Sequence, residues 1–395
     1  MDRRKFLKNS ALASSLFFVP NFVKAFETVA TEQLGYKRLV IVQLAGGNDG
    51  LNTIIPYNND VYYNARPRLA ISKDIIKLND DLGFHPSLKP LRSLFDNGEL
   101  SIINNVGYPN PVRSHFRSMD IWHTASGSDE YLQTGWLGRY LDQYGKKPYN
   151  AIELDEQLSL AMKGEHFNGI ATNDYNVLYK TAQDPYFKNV INHYNDAHLS
   201  EHNLGYLYQT MIEATSSAKY IFEKTTVKSS NEDYPQNNFA KQLKNVAQFI
   251  NSGLDTKVFY ASLGGFDTHA NQTNKQAKLL SQYADSVSAF VKDLKQNNTY
   301  ENTLILTFSE FGRRVKQNAA DGTDHGAANN VFVIGKNLKH AGVYNSLASL
   351  SNLDSNGDLK YSIDFRSIYA TILTKWMNVS AEGIIPSQQK QLNFI

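Results

Sequence analysis

The sequence predicts an α/β protein with a doubly wound, mostly parallel central sheet flanked by helices, and three observations predict it. Near-continuous Val/Ile runs recur along the chain, amphipathic helical patterns lie between them, and polar residues gather just past the end of run after run. A strand buried between two helical layers needs to be apolar on both faces, and strands that alternate with helices build that class of sheet.

The first stretch, MDRRKFLKNSALASSLFFVPNFVKA (1–25), has a basic head (Arg3, Arg4, Lys5, Lys8), a short apolar run from Ala11 to Val19 and a small-residue end at Val23-Lys24-Ala25. It reads as a signal peptide, because the run is too short to span a bilayer. Adjacent arginines followed by Phe6, Leu7 and Lys8 resemble the twin-arginine signal read by the export machinery of that name. The expectation is a protein exported by that pathway, periplasmic or secreted, with no transmembrane anchor after processing. Residues 26–395 are expected to form one domain.

The first strand is RLVIVQLA (38–45), and LSIINNV (100–106), KVFYASL (257–263), TLILTFS (303–309) and NNVFVIG (329–335) resemble it. Between 257–263 and 303–309 lies TNKQAKLLSQYADSVSAFVKDLKQ (273–296), where Leu280, Ala284, Val287, Val291 and Leu294 recur at helical spacing; Gly253 stops an earlier helix over 240–252. Residues 150–235 hold no long Val/Ile run and are rich in Tyr, Asn, His and Lys, so they read as a mostly helical insertion placed to cap the site.

Composition narrows the function. With 42% hydrophobic and 20% charged residues over 395 positions, the chain is globular. It has no cysteine, which excludes disulfides, thiolate ligands and cysteine nucleophiles together. Without residues 1–25 the chain keeps 35 Lys/Arg and 37 Asp/Glu, a formal charge of −2 in place of +2, so no basic field invites nucleic acid.

In an open α/β sheet, ligands collect beyond the carboxyl ends of the strands. The first strand here ends in AGGNDGLN with Asp49, the second leads into NPVRSH with Arg113, Ser114 and His115, and the third ends in GGFDTHANQ with Asp267 and His269. The fourth ends in Ser309 and Glu310, and the loop before the fifth holds GTDHG with Asp324 and His325. Each group also has a plain structural reading. GGNDG suits a tight turn, Ser114 a helix N-cap, Glu310 an ion pair with Arg313 or Arg314, and Asp324 the orientation of His325. His269 alone fits a structural histidine, and His85 fits a helix cap better than a site residue. Arg113 and Arg117 suit either an anionic substrate or surface ion pairs. The 23 Tyr and 21 Phe suit stacking on sugars or an ordinary core.

Taken together, LAGGNDGLNTIIPY, DDLGFHPSLKPLRSLFDNGELSIINNVGYPNPVRSHFRSMDIWHT, TGWLGRYLD, GGFDTHANQ, SEFGRRVKQNAADGTDHGAANNVFVIG and DFRSIYATIL resemble the domain of unknown function family 1501. That family is grouped with the alkaline phosphatase and sulfatase superfamily, which carries a two-metal site at the carboxyl edge of a parallel sheet. The resemblance implies an alkaline phosphatase-like fold, one metal shell of Asp267, His269 and His325, a second with Asp49 and Glu310, and Ser114 as nucleophile. It implies one or two divalent ions, zinc, manganese or calcium. Two departures stand out: Glu310-Phe311 replaces the superfamily's Asp-His, and the absence of cysteine speaks against a formylglycine sulfatase.

The leading expectation is therefore an exported metal-dependent hydrolase of phosphate or sulfate esters, small or polymeric. The alternative is a catalytically silent binding or assembly protein of the cell envelope that retains the fold.

Overall fold

The computed structural model describes residues 36–145, 147–192, 203–226, 230 and 232–395. Residues 1–25, read above as a signal peptide, lie outside the described residues. The chain divides into Met1–Lys37 and Arg38–Ile395, and the architecture below is that of the second unit.

Among the described residues the main sheet has nine strands. They are β1 (Arg38–Ala45), β5 (Leu100–Gly107), β6 (Ala151–Glu153), β7 (Ile170–Ala171), β8 (Val258–Gly264), β9 (Thr303–Phe308), β10 (Asn329–Ile334), β11 (Gly342–Val343) and β12 (Ile363–Asp364). Their order is β11-β5-β10-β9-β1-β8-β6-β7, with β12 also paired to β5. A second, three-stranded sheet is made of β2 (Ile54–Ile55), β3 (Ile76–Lys77) and β4 (Gly83–Phe84). The helices are α1 (Asp60–Ala65), α2 (Arg92–Asp96), α3 (His115–Thr124), α4 (Trp136–Tyr140), α5 (Tyr175–Gln183), α6 (Pro185–Asn192), α7 (Asn203–Thr225), α8 (Asn238–Asn251), α9 (Gln272–Gln296) and α10 (Phe365–Thr371).

Strand β1 shows why the sequence makes three layers. Its residues alternate: Val40, Val42 and Leu44 pack with α8 and α9, whereas Leu39 and Ile41 pack with α3, α4 and α10. Helix α9 meets the first layer with the stripe expected from its spacing, including Leu280, Tyr283, Ala284, Val287, Val291 and Leu294. Each fully buried side chain of this kind contributes roughly 1.5–3 kcal/mol of hydrophobic stabilisation.

Strand β10 departs from the parallel expectation. It runs antiparallel to both β5 and β9, while β1 pairs parallel with β8 and β9. The physical reason is the connection: residues 309–328 contain no helix, and a parallel return needs a long crossover. The reversal starts β10 at the edge where β9 ends, so the loop holding His325 lies with the carboxyl ends of β1, β5, β8 and β9.

The 150–235 stretch does more than form helices. It adds β6 and β7, two short parallel strands, to the sheet beyond β8. Its helices pack among themselves, with Tyr179 stacked on Phe222, and against α8, where Tyr175 meets Phe249. Among the described residues no helix is long and apolar enough to cross a membrane.

Candidate metal centre

The carboxyl edge is gathered around one arginine. Arg313, whose side chain is fully buried, donates from Nε to the Gly47 carbonyl (2.7 Å) and from Nη1 to the Thr323 carbonyl (2.7 Å). Its Nη2 donates to the carbonyls of Gly46 and Phe266 and to Asp267 Oδ1 (2.7 Å). Three loops are thereby tied to one guanidinium, whose fixed fork of donors suits the task. Gly46 permits the close approach: at φ +117° it occupies a conformation that L side chains rarely adopt, and a Cβ there would lie 2.5 Å from the Asp267 amide nitrogen.

On this frame His115, Asp267 and His325 each present one ligand atom, and these atoms lie within 4.8 Å of one another. Asp267 Oδ1 is 3.5 Å from His115 Nε2 and 3.3 Å from His325 Nε2. His269 joins through its Nδ1, 2.8 Å from the same oxygen. The His115 and His325 rings meet edge to face at 4.4 Å, and Phe311 packs against both, at 4.9 and 4.7 Å.

What each imidazole does with its other nitrogen sets the chemistry. Nδ1 of His325 lies 2.7 Å from the Arg113 carbonyl, which can only accept, so Nδ1 carries the proton. Burial lowers the His325 pKa, which favours the neutral ring with an electron pair on Nε2. That pair faces a carboxylate oxygen, an arrangement stabilised by a cation between them. Nδ1 of His115 donates to Glu310 Oε1 at 2.8 Å, and this bond raises the His115 pKa. Its Nε2 is occluded and has no hydrogen-bond partner among the described residues. For Asp267 burial pushes the pKa up, but the hydrogen bond and positive charge of the Arg313 guanidinium overcome it and hold the group well below the usual carboxylate range. Two imidazole nitrogens and a carboxylate, with carboxylate and carbonyl partners behind the imidazoles, fit a divalent ion with three protein ligands.

The other expected residues are distributed differently. Asp49 is fully buried, with Oδ2 2.6 Å from Arg66 Nη1 and accepting from Gln272, while its Oδ1 has no partner among the described residues. Glu310 pairs with neither Arg313 nor Arg314; besides His115, its Oε1 accepts from the Gly46 amide at 2.8 Å. Asp324 is exposed and accepts from Asn318 at 3.0 Å, so it does not orient His325. Ser114 is the N-cap of α3 and is exposed, yet its side chain makes no capping hydrogen bond. Arg113 pairs with Asp358 and Asp354, and Arg117 donates to the carbonyls of Gly127, Ser128 and Glu130. His85 caps a helical turn, accepting at Nδ1 from the Ser87 amide at 3.0 Å.

Sequence reading passed over Arg66 and Gln272, and gave Arg313 only a surface role. A buried arginine interrupts no hydrophobic period and so leaves no pattern. The Arg-Arg pair straight after a strand end at 313–314 was the one available signal.

Among solved structures the chain is similar to a protein of the alkaline phosphatase superfamily from Vibrio parahaemolyticus, at 11% identity over 89% of this chain and 68% of that one, with a TM-score of 0.40. It is similar to the PsFucS1 sulfatase from Pseudoalteromonas sp., at 13% identity over 90% and 70%, with a TM-score of 0.40. It is also similar to the C-terminal periplasmic domain of EcEptC from Escherichia coli in complex with Zn, at 11% identity over 90% and 88%, with a TM-score of 0.39. No curated protein matches it. The model of one family, described as "Protein of unknown function (DUF1501)", matches residues 36–390, which include every strand of the sheet and every residue of the cluster, and to that family the chain belongs.

Proposed function

We propose that the chain is an exported, metal-dependent hydrolase of phosphate or sulfate esters. The observation that carries this reading is the imidazole pair of His115 and His325, each with Nδ1 engaged by an oxygen behind it and Nε2 turned toward Asp267. His115, Asp267 and His325 would hold one divalent ion, with His269 beside Asp267 as a further donor. When bound, such an ion polarises an ester oxygen and lowers the pKa of a bound hydroxyl.

The chain's own groups supply the rest. Ser114 stands between two anchors, since the carbonyl before it holds His325 and the side chain after it is held by Glu310. Its hydroxyl is exposed and free of the capping role, so it is the nucleophile in this reading. It opens a ten-residue helix whose first amides have no intrahelical acceptor, and that end favours an anionic ester. Arg113, engaged by Asp354 and Asp358, positions His325 through its carbonyl.

One ion fits this site better than two. Asp49 already balances Arg66, and Glu310 already serves His115 and the Gly46 amide. A second cation on Asp267 would meet the Arg313 guanidinium 2.7 Å from Oδ1. The Arg66 pairing also supports a second reading, a binding protein with a single structural ion.

The test is elemental analysis of protein purified without chelator, with a Asp267→Ala, His325→Ala variant alongside, followed by turnover of phosphate and sulfate esters. One equivalent of zinc, manganese or calcium, lost in the variant, together with metal-dependent turnover is the expected result. One equivalent without turnover favours the binding protein, and absence of metal after reconstitution removes the proposal.

A further inference from the structure

A cavity of about 440 Å³ shares no residue with the imidazole cluster. One wall holds Pro56, Asn58 and Asn59, between β2 and α1, together with Asn79, Asp81 and Leu82 from the turn between β3 and β4. The other wall is the irregular segment 343–349, which begins at the end of β11. That volume suits a small ligand.

Both walls are held in shape from behind. Asn104, buried in β5, donates from Nδ2 to the Asn345 carbonyl at 2.8 Å, and its backbone amide and carbonyl pair with the Asn345 side chain at 2.8 and 2.9 Å. Asn105 donates from Nδ2 to the Ser346 carbonyl and accepts from the Ala348 amide at Oδ1, both at 2.9 Å. It does so at φ +55°, a left-handed conformation that asparagine tolerates better than most side chains, and the strain is kept where it fixes a segment with no regular structure of its own.

On the opposite wall Asn59 Oδ1 accepts from the Val61 amide at 3.0 Å, and Asn79 Oδ1 accepts from the amides of Asp81 and Leu82 at 3.0 and 2.8 Å. With their oxygens engaged, both side chains keep an oriented NH₂ group as donor, and the exposed Asp81 carboxylate beside them only accepts. Among the described residues that line the cavity there is no lysine or arginine to attract a phosphate or sulfate, and Asp81 is the single carboxylate, too few for a divalent cation. Pro56, Leu82, Val343 and Leu347 set apolar surface among the amides and hydroxyls. A sugar ring needs both kinds of surface, because hydroxyls surround its edge and C–H groups cover its faces.

We propose that this cavity binds a neutral sugar unit, with the Asn59 and Asn79 amides donating to its oxygens and the Asp81 carboxylate accepting from its hydroxyls. The site does not rest on the hydrolase reading above. It would serve a hydrolase of esters carried on a glycan and a binding protein equally.

Calorimetric titration of the full chain with glucose, galactose, mannose and N-acetylglucosamine, and with cellotriose and mannotriose, tests the cavity. Saturable binding of at least one of these is expected, with the 6-phosphate of the best-bound monosaccharide bound more weakly because no cation answers its charge. Tighter binding of a trisaccharide identifies a glycan chain as the ligand, and equal binding a free sugar. Asp81→Ala, at an exposed position, should weaken binding at least about tenfold, the worth of one hydrogen bond to a charged group. Ser346→Trp, also exposed, should abolish it by filling the cavity, without lowering metal content or thermal midpoint. No saturable binding of any of these sugars, tighter binding of the phosphate, or binding unchanged in either variant overturns the proposal. Turnover of phosphate and sulfate esters is measured separately: sugar binding without turnover supports the cavity and removes the hydrolase, and turnover without sugar binding does the reverse.

Discussion

Arg313 holds Asp267 from the protein side, its Nη2 2.7 Å from Oδ1 with no part of the guanidinium side chain exposed. The same carboxylate oxygen faces the imidazoles of His115, His269 and His325. One group therefore joins the buried frame to the candidate ion site, and its charge is balanced before any ion arrives.

That relationship predicts the behaviour of Arg313→Met. The variant keeps much of the volume but removes the donors to the carbonyls of Gly46, Gly47, Phe266 and Thr323, and leaves Asp267 without its cation. Asp267 is half exposed and can turn to water, so the cost falls mainly on the buried carbonyls left without a donor, at about 1–3 kcal/mol. Urea unfolding should show a loss of that size, with Arg313→Lys intermediate. A loss under about 1 kcal/mol would mean that the loops hold together without the guanidinium.

Glu310 predicts a graded effect on metal affinity. Its carboxylate fixes His115 with Nδ1–H toward it and Nε2 toward the cluster. Partners of that kind are typically worth 10–100-fold in metal affinity. Glu310→Ala should weaken zinc binding by that factor in a competition titration, whereas Glu310→Gln, whose amide oxygen still accepts from Nδ1–H, should lose much less. Equal losses in both would place the effect in the negative charge rather than in the orientation of the ring.

Ser114 separates catalysis from stability. Serine at an N-cap usually contributes about 1 kcal/mol through its hydroxyl, but here that bond is not made. Ser114→Ala should leave the unfolding midpoint and the metal content unchanged while turnover of a phosphate or sulfate ester falls at least a hundredfold. Unchanged turnover would remove the nucleophile assignment, and a large drop in stability would return the residue to a capping role.

How much of this was legible in the sequence depended on whether neighbours along the chain or neighbours in space decided it. The run over 38–45 matches β1 residue for residue, and the stripe of α9 faces the core, because both patterns are written within one element. Strands β6 and β7, of three and two residues, are too short to form a run. The reversal of β10 followed from an absent crossover helix and was available to a closer reading of 309–328. The partners of Asp49 and Glu310 were not: Glu310 meets His115 across 195 positions, and which cation or imidazole reaches a buried carboxylate depends on where separate loops land. Convergence at the strand ends was readable from topology, but the division of labour within it was not.

Glu153 gives the pH dependence of the fold. It lies in β6, is 5% exposed, and accepts from the Ser159 amide at 2.8 Å. Burial raises its pKa to about 7 from an ordinary value of 4.5, with the hydrogen bond from Ser159 opposing the shift. A carboxyl whose folded pKa is raised binds its proton more tightly in the folded state. Its stabilising effect is therefore complete below pH 4.5 and declines as pH rises, until it is lost above about 7. A shift of this size corresponds to about 3 kcal/mol. Glu153→Gln cannot ionise and keeps an oxygen for the Ser159 amide, so its stability should exceed that of the parent at pH 8 and approach it at pH 5. Urea unfolding of both proteins at the two pH values measures the difference, and parallel stabilities at both would show that Glu153 ionises in the folded protein as freely as in the unfolded chain.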